Sequence, residues 1–178
     1  MGKTYDAISD EHRLFLERQH IFFVASAPLS ADGHVNLSPK GLDTLRVLGP
    51  NRVAYLDLTG SGNETAAHLA ENGRVTLMFC AFEEPPKILR LYGRGRAILP
   101  TDPAFASYGF PSMTGQRQII DVAVERVQTS CGFGVPLYTF EQQRDTLTKW
   151  AERKGPDGLA TYRRERNACS IDGLEAPG

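Results

Sequence analysis

His34-Val35-Asn36-Leu37-Ser38-Pro39-Lys40-Gly41 and, after a short interval, Val53-Ala54-Tyr55-Leu56-Asp57-Leu58-Thr59-Gly60-Ser61-Gly62-Asn63-Glu64-Thr65 form the stretch around which the chain is organised. Each begins as a β-favouring run. The second empties into a Gly/Ser turn and then into Thr65-Ala66-Ala67-His68-Leu69-Ala70, which has helical character. Gly60 and Gly62 allow backbone N–H groups to turn toward a single anion, and Lys40 brings a mobile point charge with three donors. Ser61 or Asn63 can cap the helix, whose free N–H groups and dipole favour a negative group; Thr65 adds a further short polar donor. The stretch therefore reads as a phosphate-holding platform. For either half taken alone, the ordinary alternative is a helix-capping loop beside a surface lysine.

Working outward, residues 20–27 and 34–38 are joined by a turn containing Asp32-Gly33 and predict a hairpin. Residues 45–48 and 53–58 flank Gly49-Pro50-Asn51-Arg52 and predict another, so the first four strands are expected to be antiparallel. Asn72-Gly73 supplies a left-handed stop for the small helix. The nearly continuous apolar run 74–82 predicts a central strand, broken by Glu83-Glu84-Pro85-Pro86. In residues 87–99 charged and apolar positions alternate, as on a strand with one wet face. Gly93 and Gly95 there mark a bulge or a close backbone approach. Upstream, residues 6–19 carry Ile8, Leu14 and Phe15 on one helical face, with Ser9 or Asp10 as start signal. Six strands in about eighty residues with one small helix predict a closed or partly open barrel, mainly β with flanking helices, of the α+β class. Beyond Pro100 the regularity fades. Short helices are expected at 102–110 and 116–120, a last strand at 122–130, a Gly/Pro loop at 131–136, and helices at 145–154 and 158–167 separated by Gly155-Pro156. One domain spanning 1–178 is the expectation, with a helical and loop extension from about residue 100. Arg163, Arg164 and Arg166 form a basic cluster, read as a solvated face or as a reach toward a phosphate or a second subunit.

Composition narrows the function classes. Twenty basic residues against 21 acidic ones leave no overall pull toward nucleic acid or an anionic membrane, so neither is expected as a partner. No run approaches the roughly 20 apolar residues needed to cross a bilayer, and the N-terminus lacks an apolar signal core. A cytoplasmic protein is expected. Cys80, Cys131 and Cys169 are odd in number and widely spaced, which predicts buried thiols rather than a disulfide framework. The four histidines show no metal-ligand spacing, and no metal site is expected. Gly2-Lys3-Thr4 imitates the end of a P-loop without the strand that must precede one.

Three strings together resemble the pyridoxamine 5′-phosphate-oxidase-like FMN-binding split-barrel family. They are residues 35–41, residues 55–65 with the helix ending at Asn72, and Leu89-Arg90-Leu91-Tyr92-Gly93-Arg94-Gly95; the likeness covers about residues 22–99. The resemblance implies a six-stranded antiparallel split barrel that pairs into a homodimer, with FMN in grooves between subunits. On that resemblance Lys40 is a phosphate-binding lysine, while Asn36, Leu37, Ser38 and Pro39 lie along the flavin ring. Leu58, Thr59, Ser61, Gly62, Asn63 and Thr65 meet the ribityl phosphate, and Arg90 completes the cofactor contacts. The chain departs from the oxidase pattern at Val35, where that pattern has arginine, and at Glu64 and Thr65, where it has a basic pair. Backbone amides, Ser61, Asn63 and Thr65 have to compensate. The oxidase's C-terminal substrate segment has no counterpart either, so pyridoxamine phosphate itself is not the expected substrate.

The resemblance implies an FMN-dependent oxidoreductase passing hydride between the flavin and a small substrate, with Phe133, Tyr92 or Tyr108 as candidates to frame that substrate. The alternative is a non-catalytic carrier or sensor of flavin, haem or deazaflavin, for which His34 or His68 would be the candidate haem ligand. A third class, a cofactor-free dimeric scaffold, is kept open by Glu64.

Overall fold

The computed structural model describes residues 2–177. Its eight antiparallel strands are β1 (Lys3–Tyr5), β2 (Phe22–Ser26), β3 (Asn36–Lys40), β4 (Leu45–Gly49), β5 (Arg52–Leu58), β6 (Arg74–Cys80), β7 (Ile88–Ile98) and β8 (Gln116–Ser130). Three helices flank them: α1 (Asp10–Arg18), α2 (Glu64–Asn72) and α3 (Thr146–Arg166). The strands run in the order β3-β2-β6-β7-β8-β5-β4, with β1 added alongside β8. Lys40 on β3 nevertheless bonds Asp57 on β5, from the other end of that order. The sheet is therefore curled into a split barrel, with eight strands rather than the expected six.

Both expected hairpins form, β2 with β3 and β4 with β5. The small helix stops where expected, at Gly73 with φ 73°. At Gly93 the register between β7 and β8 shifts, and a Cβ there would sit 2.0 Å from the Ala123 carbonyl oxygen. Only glycine admits that approach of two backbones. The Lys3-Thr4 dipeptide of the false P-loop is simply the start of β1.

The expected helix at 116–120 is absent, because those residues open β8. Arg117 and Gln118 are buried there along with their apolar neighbours, so the strand lacks the alternation that would have revealed it. At 102–110 only one 3₁₀ turn forms, Phe105–Tyr108, closed by Gly109 at φ 68°. The helix expected at 145–154 and its continuation are joined in α3 across a kink at Gly155, where φ is 66° and ψ 173°. Cys80 is buried as expected, but Cys131 and Cys169 are exposed, on loops that no core covers.

The main core fills the barrel with Val24, Leu77, Phe79, Leu89, Leu91 and Val122, among others. A second cluster, with Leu56, Ile98, Ile119 and Tyr108, packs on the other face. No helix among the described residues is long and apolar enough to cross a membrane.

Helix α1 starts at a reciprocal cap. Ser9 Oγ accepts from His12 N and His12 Nδ1 accepts from Ser9 N, both at 3.2 Å. Ser9→Ala is expected to cost about 1 kcal/mol, read as a lowered chemical-denaturation midpoint at unchanged slope.

Candidate functional site

A cleft of about 350 Å³ opens where β3, the end of β5 and the start of α2 meet. Its origin is a polar plug at one end of the barrel. Asp57 is the only charged side chain in the interior of the apolar run 53–58, and its carboxylate is 5% exposed. A buried charge has to be paired. Oδ1 accepts from Lys40 Nζ at 2.8 Å. Oδ2 accepts from Arg117 Nη2 at 2.7 Å, Arg117 Nε at 3.2 Å and Gln118 Nε2 at 2.9 Å. Burial by itself pushes the Asp57 carboxyl up, but Lys40 and Arg117 beside it outweigh that and hold it well below the usual carboxylate range.

From this centre the network spreads into the turn and into β3. Gln118 Nε2 also donates to Asn63 Oδ1 at 2.8 Å, and Arg117 Nη1 to Gly62 O at 3.0 Å. Asn36 Nδ2 donates to Thr65 Oγ1 and Ser38 Oγ to Asn36 Oδ1, both at 3.0 Å, so β3 and the head of α2 are tied together. The linker from β3 to β4 is strained. Leu42 and Asp43 both take left-handed conformations, with φ 63° and 54°.

Of the residues expected at the site, Asn36, Ser38, Pro39, Lys40, Leu58, Ser61, Gly62, Asn63 and Thr65 all line this one cleft. Three do not. Leu37 is not part of the lining and is 62% exposed. Thr59 is buried behind the turn, its Oγ1 donating to Gly115 O. Arg90, on β7, donates to Ser130 Oγ away from the cleft. The aromatic frame is also absent from the cleft. The Tyr108 hydroxyl is bonded by Arg52, the Tyr92 hydroxyl donates to Gln128 Oε1, and Phe133 is 81% exposed outside the cleft. Neither histidine considered for haem lines it: His34 is paired with Asp172, and His68 is wholly buried against Ser26.

Residues not expected at the site include Asp57, Arg117, Leu42, Leu56 and Leu147. Asp57 carried a signal in the sequence, since a lone carboxylate inside an apolar strand demands a cationic partner. Arg117 and Gln118 carried none that was local: their segment lacks alternation, and their partner Asp57 lies 60 and 61 positions away. Leu147 arrives from α3 and had none.

By formal charge the lining is balanced, Lys40 and Arg117 against Asp57 and Glu64. Its capacity for an anion lies instead in uncommitted donors. Lys40 spends one of three N–H groups on Asp57. Among the described residues the Ser61 hydroxyl and the backbone N–H groups of Gly60, Ser61 and Gly62 donate to no protein acceptor. Beside them lie the apolar surfaces of Pro39, Leu42, Leu56, Leu58 and Leu147. The set suits a flat apolar body carrying an anionic tail, and the volume falls within the range of small-molecule sites.

Comparison with known proteins agrees with the fold. The model of the pyridoxamine 5′-phosphate oxidase family matches residues 8–131. The pyridoxamine 5′-phosphate oxidase family protein ustO of Aspergillus flavus is 43% identical over 189 residues, covering 96% of this chain and 76% of that protein. HupZ of Group A Streptococcus superposes with a TM-score of 0.55 at 20% identity, over 67% of this chain and 91% of its own. The FAD binding protein from Mycobacterium smegmatis gives a TM-score of 0.51 at 14% identity, over 70% and 96%.

Proposed function

We propose, from the premise that the chain belongs to the pyridoxamine 5′-phosphate oxidase family, that it binds FMN in the cleft between β3 and the turn at 59–63 and works as a flavin-dependent oxidoreductase on a small molecule. The observation that carries this reading is the convergence of Lys40, Ser61 and uncommitted backbone amides beside an apolar wall in one cavity. Lys40, Ser61 and the amides of the turn hold the phosphate; Asn36, Ser38 and Pro39 flank the ring system. When bound, the flavin supplies the hydride chemistry, and the residues of this chain orient it and exclude water. The FAD binding described for the Mycobacterium smegmatis protein supports a flavin as the ligand class.

The cleft lining contains no histidine, cysteine or tyrosine. All redox chemistry then belongs to the cofactor, and the same fact favours the second reading, a flavin carrier without turnover. Pairing into a homodimer is part of the proposal. Val35 at 73% and Leu37 at 62% exposure leave apolar side chains bare beside and along edge strand β3, a surface that a second copy would cover.

Titrating the purified protein with FMN is expected to give saturable quenching of flavin fluorescence. A preparation that is colourless and leaves the fluorescence unchanged refutes the cofactor. Bleaching of the bound flavin by reduced nicotinamide in stopped flow marks an enzyme, and its absence a carrier. Light scattering that finds a flavin-loaded monomer removes the dimer.

A further inference from the structure

Helix α3 and the tail behind it follow the residues matched by the family model, yet they hold the phosphate turn from its rear. Arg163 Nε donates to Thr59 Oγ1 at 2.9 Å, and its Nη2 to the carbonyls of Gln116 at 2.8 Å and Gly115 at 3.4 Å. One helical turn further on, Asn167 is 3% exposed. Its Nδ2 donates to Gly60 O at 3.2 Å, and its Oδ1 accepts from Arg117 Nη1 at 2.8 Å. Arg117 Nη1 also donates to Gly62 O, so the carbonyls of Gly60 and Gly62 are both anchored by the same pair of side chains.

In a planar trans peptide the carbonyl of one residue and the N–H of the next point in opposite directions. Anchoring the Gly60 carbonyl to Asn167 therefore turns the Ser61 N–H away from the end of α3, and anchoring the Gly62 carbonyl to Arg117 fixes the direction of the Asn63 N–H. Ser61 and Asn63 line the cleft, as do Gly60 and Gly62 between and beside them. Charge acts in the same sense. Arg163 adds one positive charge behind a lining that is otherwise balanced, and burial together with the nearby Arg117 guanidinium pushes Arg163 below the usual arginine range.

We infer that Arg163 and Asn167 are positioning residues: from the last helix they fix the shape of the turn at 59–63, aim its amides into the cleft, and thereby set the affinity for a phosphomonoester. The ligand in this statement rests on the cofactor reading above; the ordering of the turn does not.

The experiment uses the full chain and the variants Arg163→Ala, Arg163→Lys, Asn167→Ala and Thr59→Val, the last removing the Arg163 acceptor from the other side. Backbone ¹⁵N order parameters of Gly60, Ser61 and Gly62 in the flavin-free protein are expected near the rigid value of about 0.85, falling toward about 0.6 in the two alanine variants. Thr59→Val should move the same amides, and Arg163→Lys should recover only part of the rigidity, since lysine cannot fork onto three acceptors. FMN affinity should fall about tenfold in the alanine variants while riboflavin affinity stays put, because only FMN carries the phosphate. Unchanged order parameters overturn the inference, as does equal weakening of FMN and riboflavin. If the unaltered protein binds neither flavin, the cofactor reading fails, and the positioning role is decided by the order parameters alone.

Discussion

Asp57→Ala is expected to remove about 3–5 kcal/mol of folding stability, the cost of breaking a buried ion pair from one side. The carboxylate is 5% exposed and receives four hydrogen bonds, from Lys40, Gln118 and twice from Arg117. Its removal leaves the Arg117 guanidinium, also 5% exposed, without an anion in the barrel. Asp57→Asn keeps the shape and loses the charge, and should fall between the wild type and the alanine variant. The measurement is chemical denaturation read from midpoints at constant slope. A midpoint for Asp57→Ala equal to that of the wild type would mean that water reaches these charges.

The same carboxylate sets an acid limit. Its folded pKa is depressed below the ordinary 3.8, against the upward push of burial, by Lys40 and Arg117. A depressed acid contributes stability that is fully present above the unfolded value and is lost as pH falls through the folded one. Stability should therefore begin to decline as pH drops below about 4, the usual aspartate range, and go on declining below it. The slope in that window should be shallower in Asp57→Asn, which has no proton to take up. Equal slopes in the two proteins would assign acid sensitivity to other carboxylates.

This network also explains where the sequence was legible and where it was not. Strands β2 to β7 stand out because each has either alternation or an unbroken β-favouring run bounded by Gly, Pro or Asn. Strand β8 was half hidden. From Arg117 to Val122 its residues are all buried, and three of them, Arg117, Gln118 and Asp121, are polar with partners drawn from far along the chain. No local pattern encodes a polar residue satisfied at a distance of 60 positions, as Arg117 is by Asp57. The cleft was legible only through its two halves together, Lys40 and the turn, because either half alone reads as readily as a surface lysine or a helix-capping loop. The brace from Arg163 and Asn167 was not legible. An arginine on a terminal helix looks the same whether it meets solvent or a buried hydroxyl, and the fold alone decides which.

Lys40→Ala is expected to weaken FMN binding on the order of tenfold to a hundredfold, the loss of one charge-assisted contact worth about 1.5–3 kcal/mol. The structure sharpens what this test means. Lys40 is not a free cation but is held at 2.8 Å from Asp57, with its side chain 23% exposed. Were that pairing to consume its charge, substitution would leave flavin affinity intact. An ammonium has three donors, however, and only one is committed to Asp57, so two remain for an anion at the mouth of the cleft. Asp57 keeps Arg117 and Gln118 when Lys40 is gone, which preserves the plug and lets the variant fold. Riboflavin provides the control, since it lacks the phosphate and should bind wild type and variant alike. Lys40→Arg should retain much of the affinity by keeping the charge. Equal FMN dissociation constants for Lys40→Ala and wild type would take Lys40 out of the binding site and leave it as the structural partner of Asp57.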